Sequence, residues 1–472
     1  MAQRRFVALT FLLALALRLA PVLLARDLPI GLDDMFQYDM LARSIVAGNG
    51  YRWYAEKDLA LIQRYVLMEL PAEYDPRGVP TSFRAPGYPA FLALVYAVCG
   101  VGPHRFFAAR LAQAVLGATL APLTWALARQ LWFGERTARR AAIVIALFPL
   151  LAIYPLALAS ENLFVPLLAL SLALVLRADE RGEARDYALA GFVLGLTALT
   201  RSIVAGFVAL AALWGWWGSR EKSAGFRNAA LLISCFLLVT VPWAARNTLL
   251  HGRPTWIETT LGYNMYLGYH PQSSGTFQYG ISLDLLPILD DGERHDRGME
   301  GFWSFLRAAP GRVPYLMARK VGYLWGLDKR ALIYFYGNNF VGRWPGWLLG
   351  LVFLLACGPL VALAPAAAGG LTCGQLERRK GFVALLLIYY TGVHALILSA
   401  SRFHVPLLPV IAILAAYAFT QRPWRESRRW QRGLAVLLIT LLLLNWGLEI
   451  ARDWDTLVAL FGPRGYRLGL PY

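Results

Sequence analysis

Long apolar runs constrain this 472-residue chain more than any other feature of its sequence. Residues 6–25, 120–131 and 434–444 are mostly apolar, and the whole chain is 58% hydrophobic and only 16% charged. Hydrocarbon cannot hydrogen-bond to the backbone, so a segment that crosses a membrane is a helix of ~20 residues or a strand of a closed barrel. Barrel strands alternate in polarity. The uninterrupted runs therefore predict an all-α polytopic membrane protein.

The net charge of +17 would suggest nucleic-acid binding if the chain were soluble. Here the cations cluster in short loops between apolar runs, which is typical of membrane topology. No zinc finger, basic helix-turn-helix or separate basic domain is evident, so nucleic acid is excluded as a partner. The four cysteines, at positions 99, 235, 357 and 373, lack the spacing of a zinc site or a disulfide framework.

Six cation clusters set the expected topology. They centre on residues 4–5, 129–140, 177–185, 220–227, 378–380 and 422–432. The positive-inside rule places all six in the cytoplasm, so an even number of spans must separate any two of them. The short apolar segment 86–100 would break that parity, and we interpret it as an interfacial or re-entrant helix. Eleven spans remain: 5–25, 105–131, 140–156, 161–177, 186–199, 202–218, 228–245, 344–364, 381–399, 403–419 and 431–449.

This topology divides the chain into three parts. Residues 1–245 are expected to form a transmembrane module of seven helices, beginning with a retained first helix, and its outer loop covers residues 26–104. Residues 246–343 form a second outer loop, in which 299–327 reads as one or two amphipathic helices on the membrane surface. Residues 344–472 contain the last transmembrane helices and end outside. No internal repeat is visible, which argues against a transporter built from inverted halves.

Isolated ionisable residues near helix ends converge on the outer side of this topology. They are Asp33, Asp34, Arg84, Arg110, Glu161, Arg201, Arg246 and Arg402. Guanidinium groups bind phosphate with a planar fork, and a carboxylate suits a general base. The pattern predicts an outward-facing cavity that holds a lipid phosphate beside an acid.

Structural roles are open for several of these residues. Arg110 could extend to lipid headgroups, and Glu161 could pair with an arginine or cap the fourth helix. Asp33 or Asp34 could cap the helix that begins near Met35. The six histidines lack ligand spacing, so we expect neither a metal site nor a cofactor.

Several motifs occur in order along nearly the whole chain. They are Asp34-x-x-x-Tyr38, Arg84-Ala85-Pro86-Gly87-Tyr88-Pro89, Ser160-Glu161-Asn162-Leu163, Leu199-Thr200-Arg201, Pro242-Trp243-Ala244-Ala245-Arg246-Asn247, Thr260-Leu261-Gly262-Tyr263-Asn264 and Arg402-Phe403-His404-Val405-Pro406. With these motifs the sequence resembles glycosyltransferase family 39 and related enzymes with the GT-C fold. That group includes protein O-mannosyltransferases and the aminoarabinose transferase of lipid A.

The resemblance implies a role for each matching residue. Asp34 corresponds to the catalytic Asp, although Met35 replaces the Glu that often follows it, and Asp33 remains an alternative. The residues implied in substrate binding are Asp33, Tyr38, Arg84, Tyr88, Arg110, Glu161, Arg201, Arg246, Asn247, Tyr263, Asn264 and Arg402. The fold implied is of GT-C type, with interfacial helices in the first outer loop.

The expected function is transfer of a single sugar from a polyprenyl-phosphate carrier to an acceptor hydroxyl or phosphate at the periplasmic face of the inner membrane. The resemblance implies inversion at the sugar carbon. The partners would be the polyprenyl-phosphate-linked sugar, a lipid, glycan or protein acceptor, and membrane lipids. Two alternatives stay open. One is a transporter or flippase for a lipid-linked anion, with which Pro149, Pro155 and Pro166 are compatible; the other is an O-antigen ligase or polymerase.

Overall fold

The computed structural model describes residues 2–68, 70, 73–131, 133–375 and 377–468. Almost all of its regular structure is α-helix. The helices of the first half are α1 (Ala2–Leu24), α2 (Asp34–Val46), α3 (Glu56–Ile62), α4 (Gly87–Cys99), α5 (Arg105–Ala118), α6 (Leu120–Gln130), α7 (Glu135–Leu147), α8 (Pro149–Ile153), α9 (Glu161–Arg181), α10 (Ala184–Thr200), α11 (Phe207–Gly218) and α12 (Lys222–His251).

The second half continues in the same way. Its helices are α13 (Thr260–Tyr269), α14 (Tyr279–Ser282), α15 (Asp291–Ala308), α16 (Arg312–Leu324), α17 (Lys329–Gly337), α18 (Gly346–Thr372), α19 (Arg378–Leu396), α20 (Leu408–Gln421), α21 (Arg429–Arg452) and α22 (Trp454–Phe461). Short 3₁₀ segments, including Ser202–Val204 and Ser401–Leu407, lead into α11 and α20.

The protein is an integral membrane protein by its apolar helices. Within the described residues, seven helices are long and apolar enough to cross a membrane. An eighth span results if Glu135–Leu147 and Pro149–Leu156, which meet at 51°, count as one. All eleven predicted spans coincide with helical segments, but the count of eleven crossings is not confirmed. The other three segments, Ala184–Thr200, Ser202–Gly218 and Arg378–Leu396, fall short of that length or apolarity.

The first outer loop contains the elements that position the site. The predicted interfacial segment is the 13-residue helix α4, which packs against α2 and α10. Between α2 and α4 the chain forms a two-stranded antiparallel sheet of β1 (Arg52–Trp53) and β2 (Val79–Pro80). No pattern in the sequence predicted this sheet. Residues 299–327 contain the second half of α15 and all of α16, as expected for a stretch of one or two helices.

The cation clusters of separate loops meet at one end of the helix bundle. Arg378, at the start of α19, pairs with Asp179 near the end of α9 at 2.6 Å. The same guanidinium lies 3.9 Å from the ring centroid of Trp214 near the end of α11. Arg140 in α7 donates to Thr420 near the end of α20 at 3.1 Å. These contacts place the clusters on one face, as the parity argument requires.

A buried arginine in the first helix, which the sequence analysis overlooked, closes the break between α7 and α8. Pro149 cannot donate a hydrogen bond and the residue before it is extended, so α7 ends and its last carbonyls lose their helical partners. Arg18, only 1% exposed, donates to the carbonyls of Ile145 and Ala146 at 3.4 and 3.5 Å. Gly117 leaves room for this side chain, since a Cβ there would lie 3.2 Å from its Nε. The bend is therefore part of the packed core.

Replacing Arg18 with leucine should lower the melting temperature of the detergent-solubilised protein. Each buried carbonyl left without a donor costs about 1–3 kcal/mol. Arg26→Leu is the matched control, because the Arg26 side chain is 61% exposed at the end of the same helix. Equal melting temperatures for both variants would show that Arg18 does not stabilise the break.

Candidate active site

The Asp34 carboxylate lies between two guanidinium groups from distant parts of the chain. Arg84 donates from Nη2 to Oδ1 of Asp34, and Arg402 donates from Nη2 to Oδ2 at 2.9 Å. The three side chains keep between 20% and 27% of their surface exposed, so a ligand can reach them. Asp34 opens α2, Arg84 precedes α4, and Arg402 lies in the 3₁₀ segment before α20.

Asp33 differs from Asp34 in its partners, which are a backbone nitrogen and a tyrosine hydroxyl and not arginines. It is the N-cap of α2: its Oδ1 accepts from the backbone nitrogen of Met35 at 2.8 Å. Its Oδ2 accepts from the hydroxyl of Tyr334 at 2.6 Å. The expectation that one member of the pair caps this helix is confirmed. The cap directs Asp33 into the fold and leaves Asp34 facing the two arginines.

The two carboxyl groups also differ in acidity. Burial raises the pKa of Asp34, but the charges of Arg84 and Arg402 lower it by a larger amount. The pKa of Asp34 therefore lies well below its usual range. Burial and the adjacent charge of Asp34 raise the pKa of Asp33. Asp34 is therefore the ionised member of the pair over a wide range of pH.

Arg84 is fixed by contacts on three sides. Its Nε donates to the side-chain oxygen of Gln37 at 2.8 Å, and its own carbonyl accepts from the Tyr51 hydroxyl at 2.8 Å. Its guanidinium carbon lies 5.5 Å from the ring centroid of Tyr38 and 5.2 Å from that of Phe83. These contacts orient the guanidinium before any ligand arrives.

A second ion pair adjoins the first. Glu161, which opens α9 and is 3% exposed, forms an ion pair with Arg201, with 2.5 Å between its Oε1 and Nη1 of the arginine. Arg201 sits at the break between α10 and the segment that leads into α11, which confirms the predicted division of residues 187–217 into two helices. Its guanidinium carbon lies 5.2 Å from the ring of Phe403, the neighbour of Arg402. Glu161, Arg201 and Arg402 occupy the helix ends opposite the cation clusters.

Two predicted tyrosines form the buried wall beside α2. Tyr38 is 8% exposed and lies within hydrogen-bonding distance of Ser160, at 3.4 Å between the two hydroxyl oxygens. Tyr88 is fully buried and donates to Gln113. Their ring centroids are 4.8 Å apart in a T-shaped arrangement. Tyr38 contacts the arginine cluster through Arg84, whereas Tyr88 contacts it only through Tyr38.

Three of the predicted ligand-binding residues, Arg110, Arg246 and Asn247, bind backbone carbonyls and do not join the cluster. Arg110 is buried and donates to the carbonyls of Leu28, Pro29 and Leu156, so it does not extend to the lipid headgroups either. Its contacts hold the chain that leaves the first helix against the loop before α9.

Arg246 and Asn247 likewise bind backbone. Arg246 donates to the carbonyl of Thr81 at 2.6 Å and to that of Tyr51 at 3.3 Å. Asn247 is fully buried and donates to the carbonyls of Trp256 and Ile257. These contacts attach the end of α12 to both outer loops, and they show the two side chains bracing the fold.

Tyr263 and Asn264 lie in α13, on the second outer loop. Tyr263 is buried, and its ring centroid is 5.6 Å from that of Phe83, next to Arg84. Asn264 is half-buried, and its side chain makes no hydrogen bond with the described part of the chain. The helix is connected to the arginine cluster through the contact of Tyr263 with Phe83.

Sequence reasoning missed three polar side chains at the site. Gln37 follows Asp34 by three residues, so helical spacing alone would have put both on one face. Tyr334 and Glu258 come from the second outer loop, where no pattern in the sequence relates them to Asp34. Among the described residues, no group of three His, Cys, Asp or Glu side chains is placed to hold a metal ion.

Arg246 and Arg84 should respond differently to removal of charge. Arg246→Met leaves the Thr81 carbonyl without its donor, which costs about 1–3 kcal/mol. The melting temperature should fall, while affinity for the lipid phosphate that the sequence predicts, with undecaprenyl phosphate as the probe, should be kept. Arg84→Met should weaken that binding and change the melting temperature less. An equal loss of affinity in both variants would restore Arg246 as a ligand-binding residue.

The chain is similar to known proteins in part of its sequence and in its fold. Residues 83–245, about a third of the chain, match the model of the dolichyl-phosphate-mannose-protein mannosyltransferase family. No curated protein matches the chain as a relative. The apo oligosaccharyltransferase of Archaeoglobus fulgidus has a similar structure, with a TM-score of 0.53 and 15% identity over 99% of this chain and 56% of the other.

Two further structures are more distant. The same archaeal enzyme, AglB, with an inhibitory peptide and a dolichol-phosphate has a TM-score of 0.48 at 14% identity, over 99% of this chain and 60% of the other. ArnT from Cupriavidus metallidurans, bound to undecaprenyl phosphate, has a TM-score of 0.40 at 16% identity, over 94% and 79%. The chain spans little more than half the length of the archaeal enzyme. The family match and the shared architecture confirm the resemblance predicted from the sequence, a GT-C fold like that of family 39 glycosyltransferases.

Proposed function

We propose that this protein is a membrane glycosyltransferase that moves one sugar from a polyprenyl-phosphate carrier to an acceptor at the outer face of the membrane. The observation that carries the proposal is the Asp34 carboxylate held by Arg84 and Arg402. The printed description of the matched family, a transferase for mannose on dolichyl phosphate, supports a lipid-phosphate donor.

The chemistry needs one base and several fixed positive charges. Asp34 removes the proton from the acceptor hydroxyl as that oxygen attacks the anomeric carbon of the donor. The bond from that carbon to the phosphate oxygen breaks, and the lipid leaves as a phosphate monoester, already stable as an anion. Arg84, Arg402 and Arg201 stabilise the charge that develops on it. A single displacement inverts the configuration of the sugar carbon.

The ion pairs of the resting state also regulate the base. With both guanidinium groups on its oxygens, Asp34 is fully ionised but weakly basic. A phosphate that binds to Arg84 and Arg402 draws their hydrogen bonds away from the carboxylate. The pKa of Asp34 then rises towards its ordinary value, because opposite charges within ~4–6 Å are what lower it. Binding of the donor thus activates the base.

The topology supports an outward-facing site. Arg84 and Arg402 lie at the helix ends away from the cation clusters, and such clusters face the cytoplasm in membrane proteins. We infer a cytoplasmic N-terminus and a periplasmic or extracellular pocket, with residues 1–245 as the catalytic module. Residues 246–343 cover that module, and residues 344–472 complete the bundle.

A transporter or flippase is the main non-enzymatic alternative, and it would require a mobile helix break or a charge exposed at mid-membrane. The 51° break after α7 is such a candidate. Arg18 fills it with hydrogen bonds to its carbonyls and is itself buried. The break therefore gives no support to this alternative.

Asp34→Asn should abolish sugar transfer and leave membrane insertion intact. Loss of a positioned base typically costs 10²–10⁴-fold in rate. Because a neutral amide competes less strongly than a carboxylate for the guanidinium groups, the variant should bind undecaprenyl phosphate more tightly. Release of undecaprenyl phosphate from a panel of undecaprenyl-phosphate sugars measures the first effect, and equilibrium binding measures the second.

Asp75→Asn is the matched control for this experiment. Asp75 lies in the same outer loop and pairs with Arg77 near the surface. Its loss should change neither turnover nor binding. Full turnover in Asp34→Asn would remove Asp34 from the mechanism.

Transfer should survive treatment with EDTA. Arg84, Arg201 and Arg402 supply the positive charge that a divalent ion would otherwise place on the leaving phosphate. The check is the rate of undecaprenyl phosphate release before and after chelation. A rate that falls in EDTA and returns with a divalent ion would contradict the arginine mechanism.

A further inference from the structure

Glu258 lies in the loop between α12 and α13, and the backbone on both sides of it is fixed. The Ile257 carbonyl accepts from Trp243 Nε1 at 2.9 Å and from Asn247 Nδ2 at 3.1 Å. The backbone nitrogen of Thr259 donates to the carbonyl of Ser82 at 3.1 Å. These contacts fix the position of the Glu258 backbone next to the first outer loop.

The Glu258 carboxylate is held by a neutral group. It accepts from the hydroxyl of Ser202, the residue after Arg201, and it is half-buried. Within the part of the chain that the structure describes, this is its one hydrogen bond, and no cation lies within ion-pair distance. Asp34 and Glu161, the other two carboxylates of the site, are both paired with arginines.

Glu258 nevertheless lies close enough to influence the site. Burial lowers the pKa of Arg84, but Asp34, Tyr38 and Glu258 raise it by more. Arg84 is connected to the same region through Tyr51, whose hydroxyl donates to its carbonyl. Glu258 therefore borders the arginine cluster without forming an ion pair with any of its described guanidinium groups.

The chemistry of the ligand follows from this arrangement. A half-buried carboxylate with one neutral donor has lone pairs to spare, and leaving them without donors costs free energy. An anionic ligand group would be repelled by Glu258 and attracted by Arg84 and Arg402. Neutral hydroxyl groups would be attracted, since they are donors and carry no charge.

We propose that Glu258 accepts hydrogen bonds from sugar or acceptor hydroxyl groups and so determines which hydroxylated substrate is used, while the arginines hold the phosphate. This inference rests on the proposed glycosyl transfer and assigns Glu258 as a residue that determines substrate specificity. The hydroxyl groups belong to the donor sugar or to the acceptor, and kinetics can separate the two.

The experiment begins with the full-length wild-type protein in detergent or nanodiscs. Undecaprenyl-phosphate hexoses and pentoses are combined with lipid A, a serine-containing peptide or an oligosaccharide as acceptor, and release of undecaprenyl phosphate is followed. Absence of release from every pair would overturn the proposed function, and the present inference with it. Any productive pair is then used with the variants.

In Glu258→Gln and Glu258→Ala, the KM for the substrate that Glu258 contacts should rise about 10–100-fold, the loss expected for a hydrogen bond to a charged group. A rise in the donor KM identifies the donor sugar, and a rise in the acceptor KM identifies the acceptor. Analogues of that substrate lacking single hydroxyl groups complete a double-mutant cycle. The hydroxyl bound by Glu258 is the one whose removal weakens the wild type but not Glu258→Ala.

Two controls separate recognition from bracing. Glu293→Gln makes the same chemical change at an exposed ion pair with Arg297 and should leave both KM values unchanged. Ser202→Ala removes the hydrogen bond but keeps the carboxylate, so its KM values should stay closer to wild type than those of Glu258→Ala. Equal losses in Ser202→Ala and Glu258→Ala, or unchanged KM values in both Glu258 variants during normal turnover, would overturn the inference and leave the proposed function standing.

Discussion

The ion pairs of Asp34 with Arg84 and Arg402 join parts of the chain that lie 50 and 368 residues apart. Neither loop could bring both cations to one carboxylate by itself. The first outer loop must pack against the segment before α20 before the pocket exists. The cap formed by Asp33 determines where α2 begins, and so which carboxylate faces that pocket. The chemistry of the site therefore depends on the packing of the whole bundle.

The helical architecture could be predicted from the sequence because apolar length and loop charge are local properties. The cation clusters predicted which helix ends lie on the same side of the bundle. The ion pair between Arg378 and Asp179 joins two of those clusters, as expected. The break at Pro149 could not be interpreted in the same way. Its stability depends on Arg18, more than a hundred residues away, whose position in an apolar helix gives no indication of its partner.

The candidate site was predictable in its residue types and only partly in its contacts. Asp34, Arg84, Arg201 and Arg402 meet as expected, because each lies isolated at a helix end on one side. Arg110 and Arg246 have the same signature in the sequence, yet they bind carbonyl groups. The sequence does not distinguish an arginine that donates to backbone carbonyls from one that is available to bind a ligand. The distinction depends on which carbonyls lie near the guanidinium in the folded protein.

The balance of charge in the pocket limits what can bind there. Three carboxylates, Asp34, Glu161 and Glu258, lie among the guanidinium groups of Arg84, Arg201 and Arg402, so the resting site is close to neutral. A free anion must displace Asp34 and gains little by long-range attraction. A phosphate carried by a lipid meets the same competition, but its prenyl chain confines it to the membrane and raises its local concentration. Under the proposed function, a neutral site of this kind favours the lipid-borne phosphate over soluble anions, because Asp34 occupies the arginines at rest.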